Sequence, residues 1–87
     1  MKKITIFIQK RCPYCQAALS ALETLLVKET YQDIEIALID ELEEPGLAES
    51  FDYYYVPTFY YQDKKLHEGA ISAQKVQQLL DGVLNDA

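Results

Sequence analysis

Two short apolar runs joined by a helical segment constrain the fold of this chain more than any other feature. The first run is Ile4 to Ile8 and the second is Ile34 to Ile39. So few polar residues interrupt the first run that we expect a strand buried on both faces. The segment between the runs carries a helical stripe of Ala18, Leu19, Leu22, Leu25 and Leu26, and it should end near Lys28 to Tyr31. A helix between two strands makes a crossover connection, so the strands are predicted to be parallel and the crossover right-handed.

The remainder of the chain predicts a helix, a hairpin and a final helix. Pro45-Gly46 marks a turn, and Leu47 to Phe51 predicts one or two helical turns. Thr58 to Tyr61 and Leu66 to Glu68 are predicted to pair as a hairpin around Gln62 to Lys65. Ser72 is the expected N-cap of a last helix, whose apolar stripe is Val76, Leu79, Leu80, Val83 and Leu84. The pattern therefore predicts one α/β domain over residues 1–87, in the order β-α-β-α-β-β-α, with a four-stranded mixed sheet flanked by three helices.

Length and charge narrow the classes of function. At 87 residues and 49% hydrophobic, the chain can build one modest core. Its net charge of -6 argues against nucleic acid or an anionic membrane surface as the main partner. No stretch approaches the length of a transmembrane helix, and the first apolar run is too short for a signal peptide. We therefore expect a soluble, cytoplasmic monomer.

The chain has two cysteines, and they stand as Cys12-Pro13-Tyr14-Cys15 between the first strand and the first helix. Proline suits the first helical position, which makes Cys12 the expected N-cap. Unpaired N–H groups and the helix dipole at that end favour a thiolate over a thiol, and Lys10 and Arg11 add positive charge nearby. Cys15 lies one turn further on, within reach of a disulfide. This placement predicts a reactive dithiol in which Cys12 is the nucleophile and the less exposed Cys15 resolves the mixed disulfide.

Two other uses of such a cysteine pair are weaker interpretations. A structural zinc ion needs four ligands, and beyond the cysteines the chain offers a single histidine, His67. No metal is therefore expected within one chain, which leaves a metal or iron–sulfur cluster shared between subunits as the alternative. A static disulfide would close too small a loop to stabilise the fold much, and a reducing cytoplasm would not maintain it.

The motif Cys12-Pro13-Tyr14-Cys15 after the first strand resembles the active site of dithiol glutaredoxins, and the resemblance spans nearly the whole chain. Val56-Pro57-Thr58 resembles the cis-proline motif of the thioredoxin superfamily. The resemblance implies a thioredoxin-like fold and a thiol–disulfide oxidoreductase without a bound cofactor. Disulfide-containing proteins would be its substrates and glutathione a candidate co-substrate. The implied substrate- or glutathione-binding residues are Lys10, Arg11, Tyr14, Val56, Pro57 and Gly69.

The C-terminal part departs from the glutaredoxin pattern. The segment from Gly69 to Ala73 is similar to the Gly-Ala-Leu-Ser of thioredoxins, so a thioredoxin-type reductant fed by a flavoprotein reductase is the alternative within the enzyme class. An iron–sulfur carrier or a redox-inert binding module on the same fold is the alternative outside it. Five tyrosines around the proline motif either form an aromatic partner surface or cover sheet and helix edges; they are Tyr53, Tyr54, Tyr55, Tyr60 and Tyr61.

Overall fold

The computed structural model describes residues 1–86, and its elements follow the predicted order. The sequence of elements is β1 (Lys2–Ile8), α1 (Pro13–Leu26), a 3₁₀ turn (Glu29–Tyr31), β2 (Ile34–Asp40), α2 (Pro45–Glu49), β3 (Thr58–Tyr61), β4 (Lys64–Glu68) and α3 (Ala73–Leu84). Ser72 caps α3 as expected, because its side chain accepts a hydrogen bond from the Lys75 N–H at 3.1 Å.

The four strands form one mixed sheet in the order β2-β1-β3-β4. β1 and β2 are parallel, as the crossover through α1 predicted, whereas β1–β3 and β3–β4 are antiparallel. In the parallel pair Ile8 lies opposite Asp40, so both strands end at the same edge of the sheet. That edge carries the cysteine motif. The α/β architecture and the four-stranded mixed sheet are therefore confirmed.

Both faces of the sheet are covered, which explains why β1 is almost continuously apolar. On one face, Ile4, Ile6 and Ile8 pack with buried side chains of α1 and α3, including Leu22 and Leu80. On the other face, a smaller cluster consists of Phe7, Ile39, Ala48 and Tyr60. Ala48 belongs to α2, so this short helix covers the face opposite α1 and α3.

Three local details differ from the sequence prediction. Helix α1 ends at Leu26, and the 3₁₀ turn follows it, with Tyr31 buried in the core. Helix α2 begins two residues earlier than expected, with Pro45 at its first position. The hairpin turn is tighter than expected, because Tyr61 pairs directly with Lys64 and Gln62 adopts a positive φ of 57°. Glycine usually marks such a turn, so its absence hid the boundary.

Within residues 1–86, no helix combines the length and the apolar character needed to cross a membrane.

Candidate active site

The loop between β1 and α1 places Cys12 at the helix start. Cys12 has an extended conformation, with φ of -80° and ψ of 118°, and Pro13 follows as the first helical residue. The Cys12 N–H donates to the Gln9 carbonyl at 3.1 Å, and the Cys12 carbonyl accepts from the Gln16 N–H at 3.0 Å. The backbone of Cys12 is thus held on both sides, and its side chain faces the unpaired N–H groups of the first turn.

The two cysteines are free thiols with opposite surroundings. The backbone N–H of Cys15, the hydrogen bond from the Cys15 thiol and the N–H of Tyr14 together hold the pKa of Cys12 below its usual value. Burial raises the pKa of Cys15 to about 12, and its thiol is only 1% exposed. Cys12, by contrast, is partly exposed. The site therefore combines an accessible, acidic thiol with a buried, weakly acidic one.

The basic residues before the motif lie on the surface. Lys10 forms an ion pair with Glu43 at 2.5 Å, and this contact raises the pKa of Lys10. Arg11 is exposed. The loop after β2 thus supplies a carboxylate to Lys10, a contact that depends on the parallel pairing of β1 and β2.

Glu41 is a site residue that the sequence analysis missed. It is the first residue after β2, and its N–H donates to the Ile8 carbonyl at 3.0 Å. Its carboxylate accepts hydrogen bonds from the Gln9 side chain and, at 2.7 Å, from the Tyr53 hydroxyl. The Glu41 charge works against the hydrogen bonds that lower the pKa of Cys12, and it adds to burial in raising the pKa of Cys15. In the sequence Glu41 looked like one of several acidic loop residues, and only the register of β1 and β2 brings it beside the dithiol.

The proline motif forms a second loop that is tied to the end of β4. The Val56–Pro57 peptide bond is cis, and Pro57 is fully buried. The Pro57 carbonyl accepts from the Gly69 N–H at 2.8 Å. Gly69 has a φ of 91°, which side chains disfavour, so glycine suits this position. Val56 packs partly buried against both hydrophobic clusters, and Cys12 also packs against the larger cluster.

The tyrosines divide between the core and the surface. Tyr53 stacks on Phe7 with ring centroids 4.9 Å apart, and Tyr60 is buried with its hydroxyl donating to the Asp52 carbonyl at 2.6 Å. Tyr54 and Tyr55 are 86% and 71% exposed. The prediction that five tyrosines form one exposed surface is therefore narrowed, since Tyr53 and Tyr60 pack in the smaller hydrophobic cluster. In the cysteine motif, Tyr14 is 62% exposed.

A carboxylate fixes the backbone of the exposed tyrosines. One oxygen of Glu68 accepts from the N–H groups of Tyr54 and Tyr55 at 2.6 and 2.9 Å. The other oxygen pairs with Lys65 at 2.7 Å. These contacts, led by the bond from Lys65, lower the pKa of Glu68 to about 2. The loop before Pro57 is therefore anchored while its tyrosine side chains stay in solvent.

Across residues 1–86, His, Cys, Asp and Glu side chains form no group of three that could hold a metal ion. His67 lies on β4, and its Nε2 is 2.9 Å from the Ala70 carbonyl oxygen.

Comparison with known proteins places this fold and dithiol in a recognised class. The family model of the thioredoxin domain matches residues 2–81, nearly the whole chain. The chain belongs to the thioredoxin-domain family. This membership, together with the cysteine pair, supports a thiol–disulfide oxidoreductase kind of function. Among curated proteins, no sequence matches significantly.

Solved structures show the same fold at low sequence identity. A thioredoxin of Halobacterium salinarum, solved as a mutant, is 22% identical with a TM-score of 0.74, covering 98% of this chain and 76% of that one. The germline-specific thioredoxin Deadhead of Drosophila melanogaster is 20% identical with a TM-score of 0.73, covering 92% and 78%. A malarial protein is 20% identical with a TM-score of 0.73, covering 94% and 96%. These likenesses confirm the thioredoxin-like fold.

Proposed function

We propose that this chain is a glutaredoxin-like thiol–disulfide oxidoreductase that reduces protein disulfides or glutathione mixed disulfides through Cys12 and Cys15. The observation that carries the proposal is the contrast between the two thiols. Cys12 is accessible and its pKa is lowered at the helix start, whereas Cys15 is buried with a pKa of about 12. The accessible, acidic thiol of Cys12 suits a nucleophile. The buried thiol of Cys15 suits a resolving cysteine that stays protonated until the second step.

The reaction consists of two exchanges. The Cys12 thiolate attacks a substrate sulfur, forming a bond between Cys12 and substrate while the substrate's own S–S bond breaks and the leaving sulfur takes up a proton. Cys15 then loses its proton and attacks the Cys12 sulfur, which forms the internal disulfide and releases the second substrate thiol. The dithiol has given up two electrons, and two glutathione molecules or a reduced flavoprotein would restore it.

The remaining residues are assigned to substrate contact. Val56 would offer its backbone to an extended peptide or to glutathione, and within residues 1–86 it has no backbone hydrogen-bond partner. Pro57 and Gly69 would hold that loop in place through the bond between them. Exposed Tyr14 would touch the substrate beside the thiols, and Lys10 and Arg11 would offer positive charge to glutathione's carboxylates.

A thioredoxin-type reductant fed by a flavoprotein reductase is the second candidate. The family match supports it, because the matching family model is that of the thioredoxin domain. The two candidates share the dithiol chemistry and differ in the electron donor.

A coupled assay with a disulfide substrate tests both candidates by following NADPH oxidation. One arm contains glutathione and glutathione reductase, and the other contains a thioredoxin reductase. We expect turnover in the glutathione arm. Turnover only with the flavoprotein would assign the second candidate, and no turnover in either arm would contradict both and favour a binding module.

Two cysteine variants serve as controls for that assay. Cys12→Ser should abolish turnover, because the nucleophile is lost. Cys15→Ser should accumulate a mixed disulfide with the substrate, visible by mass spectrometry, because nothing resolves it. Retained activity in Cys12→Ser would overturn the assignment of the nucleophile.

A further inference from the structure

The end of β2 contributes a carboxylate to the dithiol site, and its contacts suggest a defined role. Because Ile8 lies opposite Asp40, the next residues of the two strands, Gln9 and Glu41, leave the sheet side by side. The Glu41 N–H donates a hydrogen bond to the Ile8 carbonyl at 3.0 Å. The Glu41 carboxylate accepts a hydrogen bond from the Gln9 side-chain amide. The backbone carbonyl of the same Gln9 accepts a hydrogen bond from the Cys12 N–H at 3.1 Å. Glu41 is therefore connected to Cys12 through a single intervening residue.

Among residues 1–86, the side chains that donate hydrogen bonds to the Glu41 carboxylate are both neutral. Gln9 donates from its amide and Tyr53 from its hydroxyl at 2.7 Å. Within residues 1–86 the ion pairs join Lys10 to Glu43 and Lys65 to Glu68, so Glu41 is in neither of them. Neutral donors fix the position of a charge without cancelling it, so the full negative charge of Glu41 acts on its surroundings.

Tyr53 gives this arrangement its rigidity. Its ring stacks on Phe7, which is fully buried in β1, with the two ring centroids 4.9 Å apart. Burial and the bond to Glu41 raise the pKa of Tyr53, so its hydroxyl stays a donor at neutral pH. The position of the Glu41 carboxylate is thus fixed from the core side as well as from the cysteine loop.

We infer that Glu41 is a positioning residue of the dithiol: through Gln9 it fixes the loop that carries Cys12, and its charge makes the reduced protein a stronger reductant. This inference rests on the proposed function. A negative charge beside the site opposes the Cys12 thiolate, which exists in the reduced protein and is absent from the disulfide. Glu41 therefore destabilises the reduced state relative to the oxidised one. The same charge opposes the lowering of the Cys12 pKa and adds to the raised pKa of Cys15, which agrees in sign.

The charged groups around the site define the controls. On the loop after β2, Glu43 is neutralised by Lys10, and Glu44 is exposed. Asp40 is buried, and its carboxylate accepts a hydrogen bond from the Leu42 N–H at 2.9 Å. On the cysteine loop, Arg11 is exposed. Glu44→Gln removes the same charge from the same loop without touching Gln9 or Tyr53, so it is the matched control for Glu41→Gln.

The test is a redox equilibrium of the full chain with dithiothreitol. In this exchange, the protein disulfide accepts two electrons and two protons to become the dithiol, while dithiothreitol is oxidised to its cyclic disulfide. For Glu41→Gln, we expect the equilibrium constant for reduction of the protein to rise threefold to tenfold, where tenfold corresponds to about 30 mV. Alkylation followed by mass spectrometry measures the reduced fraction. Glu44→Gln should have the same equilibrium constant as the wild type.

A pH titration of thiolate absorbance at 240 nm separates charge from structure. In Glu41→Gln the Cys12 titration should move to lower pH, because the opposing charge is gone. Gln9→Ala keeps the Glu41 charge but removes the hydrogen bond that holds the carboxylate. The equilibrium constant and the Cys12 titration should therefore move in the same direction as in Glu41→Gln, by a smaller amount. An equilibrium constant and a titration that match those of Glu44→Gln would overturn the inference. So would slower resolution of the mixed disulfide in Glu41→Gln at an unchanged equilibrium, since Glu41 would then act in proton transfer.

The two proposals fail separately. Loss of turnover with both reductases would contradict the proposed function, whereas the equilibrium and the titration need only the dithiol and dithiothreitol. If Glu41→Gln does not fold, Gln9→Ala still tests the inference, because an unchanged equilibrium and titration in that variant would overturn it.

Discussion

Cys12 and Cys15 stand three residues apart, yet the start of α1 gives them opposite chemistry. Cys12 lies outside the first turn, where backbone N–H groups point toward its sulfur, while Cys15 lies inside the turn and faces the hydrophobic core. Hydrogen bonds from Cys15 and Tyr14 lower the pKa of Cys12, whereas the charge of Lys10 is paired with Glu43. The difference between the two thiols therefore comes from the backbone and from burial, and it should persist when surface charges are removed.

At the residue scale, alkylation should distinguish the two cysteines. At pH 8 a thiol with a pKa of about 12 is ionised in only about one molecule in ten thousand, and Cys15 is also buried. A short pulse of iodoacetamide should therefore label Cys12 long before Cys15, as read by peptide mass spectrometry. The control is the same pulse in concentrated urea, where both cysteines should react at similar rates. Equal labelling in the native protein would contradict the assigned environments.

At the scale of elements, the loop before Pro57 depends on β4 for its conformation. Glu68 at the end of β4 binds the N–H groups of Tyr54 and Tyr55, and Gly69 binds the Pro57 carbonyl. β4 is the edge strand of the sheet and lies two strands away from the one that delivers Cys12. The hairpin thus positions the exposed tyrosines and the proline motif as one unit.

The lowered pKa of Glu68 makes this anchor sensitive to acid. Because its pKa in the folded protein is about 2, below the ordinary value of about 4.3, the ionised carboxylate stabilises the fold above pH 4, and this contribution is lost as the pH falls toward 2. Glu68→Gln should therefore lower the free energy of unfolding at pH 7, and its difference from the wild type should shrink at pH 2.5. Urea unfolding at the two pH values measures this.

Glu49→Gln is the matched control for Glu68→Gln, because Glu49 is exposed on α2. It should leave the free energy of unfolding nearly unchanged at both pH values. A difference between Glu68→Gln and the wild type that is equally large at pH 7 and pH 2.5 would show that the charge of Glu68 does not hold the loop.

Local patterns in the sequence predicted the helices and strands. The contacts of Glu41 and Glu68 were not predicted, because they depend on how distant strands pair. The stripe of α3, its cap at Ser72 and the placement of Cys12 before Pro13 are all features of neighbouring residues. The link from Glu41 to Gln9 joins residues 32 positions apart, and it exists because β1 and β2 pair in one particular register. The bonds from Glu68 to the tyrosine loop likewise require the hairpin to be folded.

At the scale of the whole molecule, one sheet separates two cores of unequal size. The larger core lies between the sheet and the pair α1 and α3, and the smaller one lies under α2 and contains Phe7, Tyr53 and Tyr60. Adjacent residues of β1 supply both, because Ile6 faces the larger core and Phe7 the smaller one. Loss of either core removes support from the strand that carries the cysteine loop, so we expect the two to unfold together.

Leu80→Ala tests whether the two cores unfold together. Leu80 on α3 is fully buried in the larger core, so its truncation should cost about 2 to 5 kcal/mol of stability. For a domain of this size that lowers the Tm by roughly 8 to 40 °C. Far-ultraviolet circular dichroism follows the helices, and the near-ultraviolet tyrosine signal includes Tyr53 and Tyr60 of the smaller core. Both signals should shift by the same amount, whereas Gln78→Ala, at an exposed position of the same helix, should shift neither. A tyrosine signal that persists after the helices have melted would mean that the sheet does not couple the two cores.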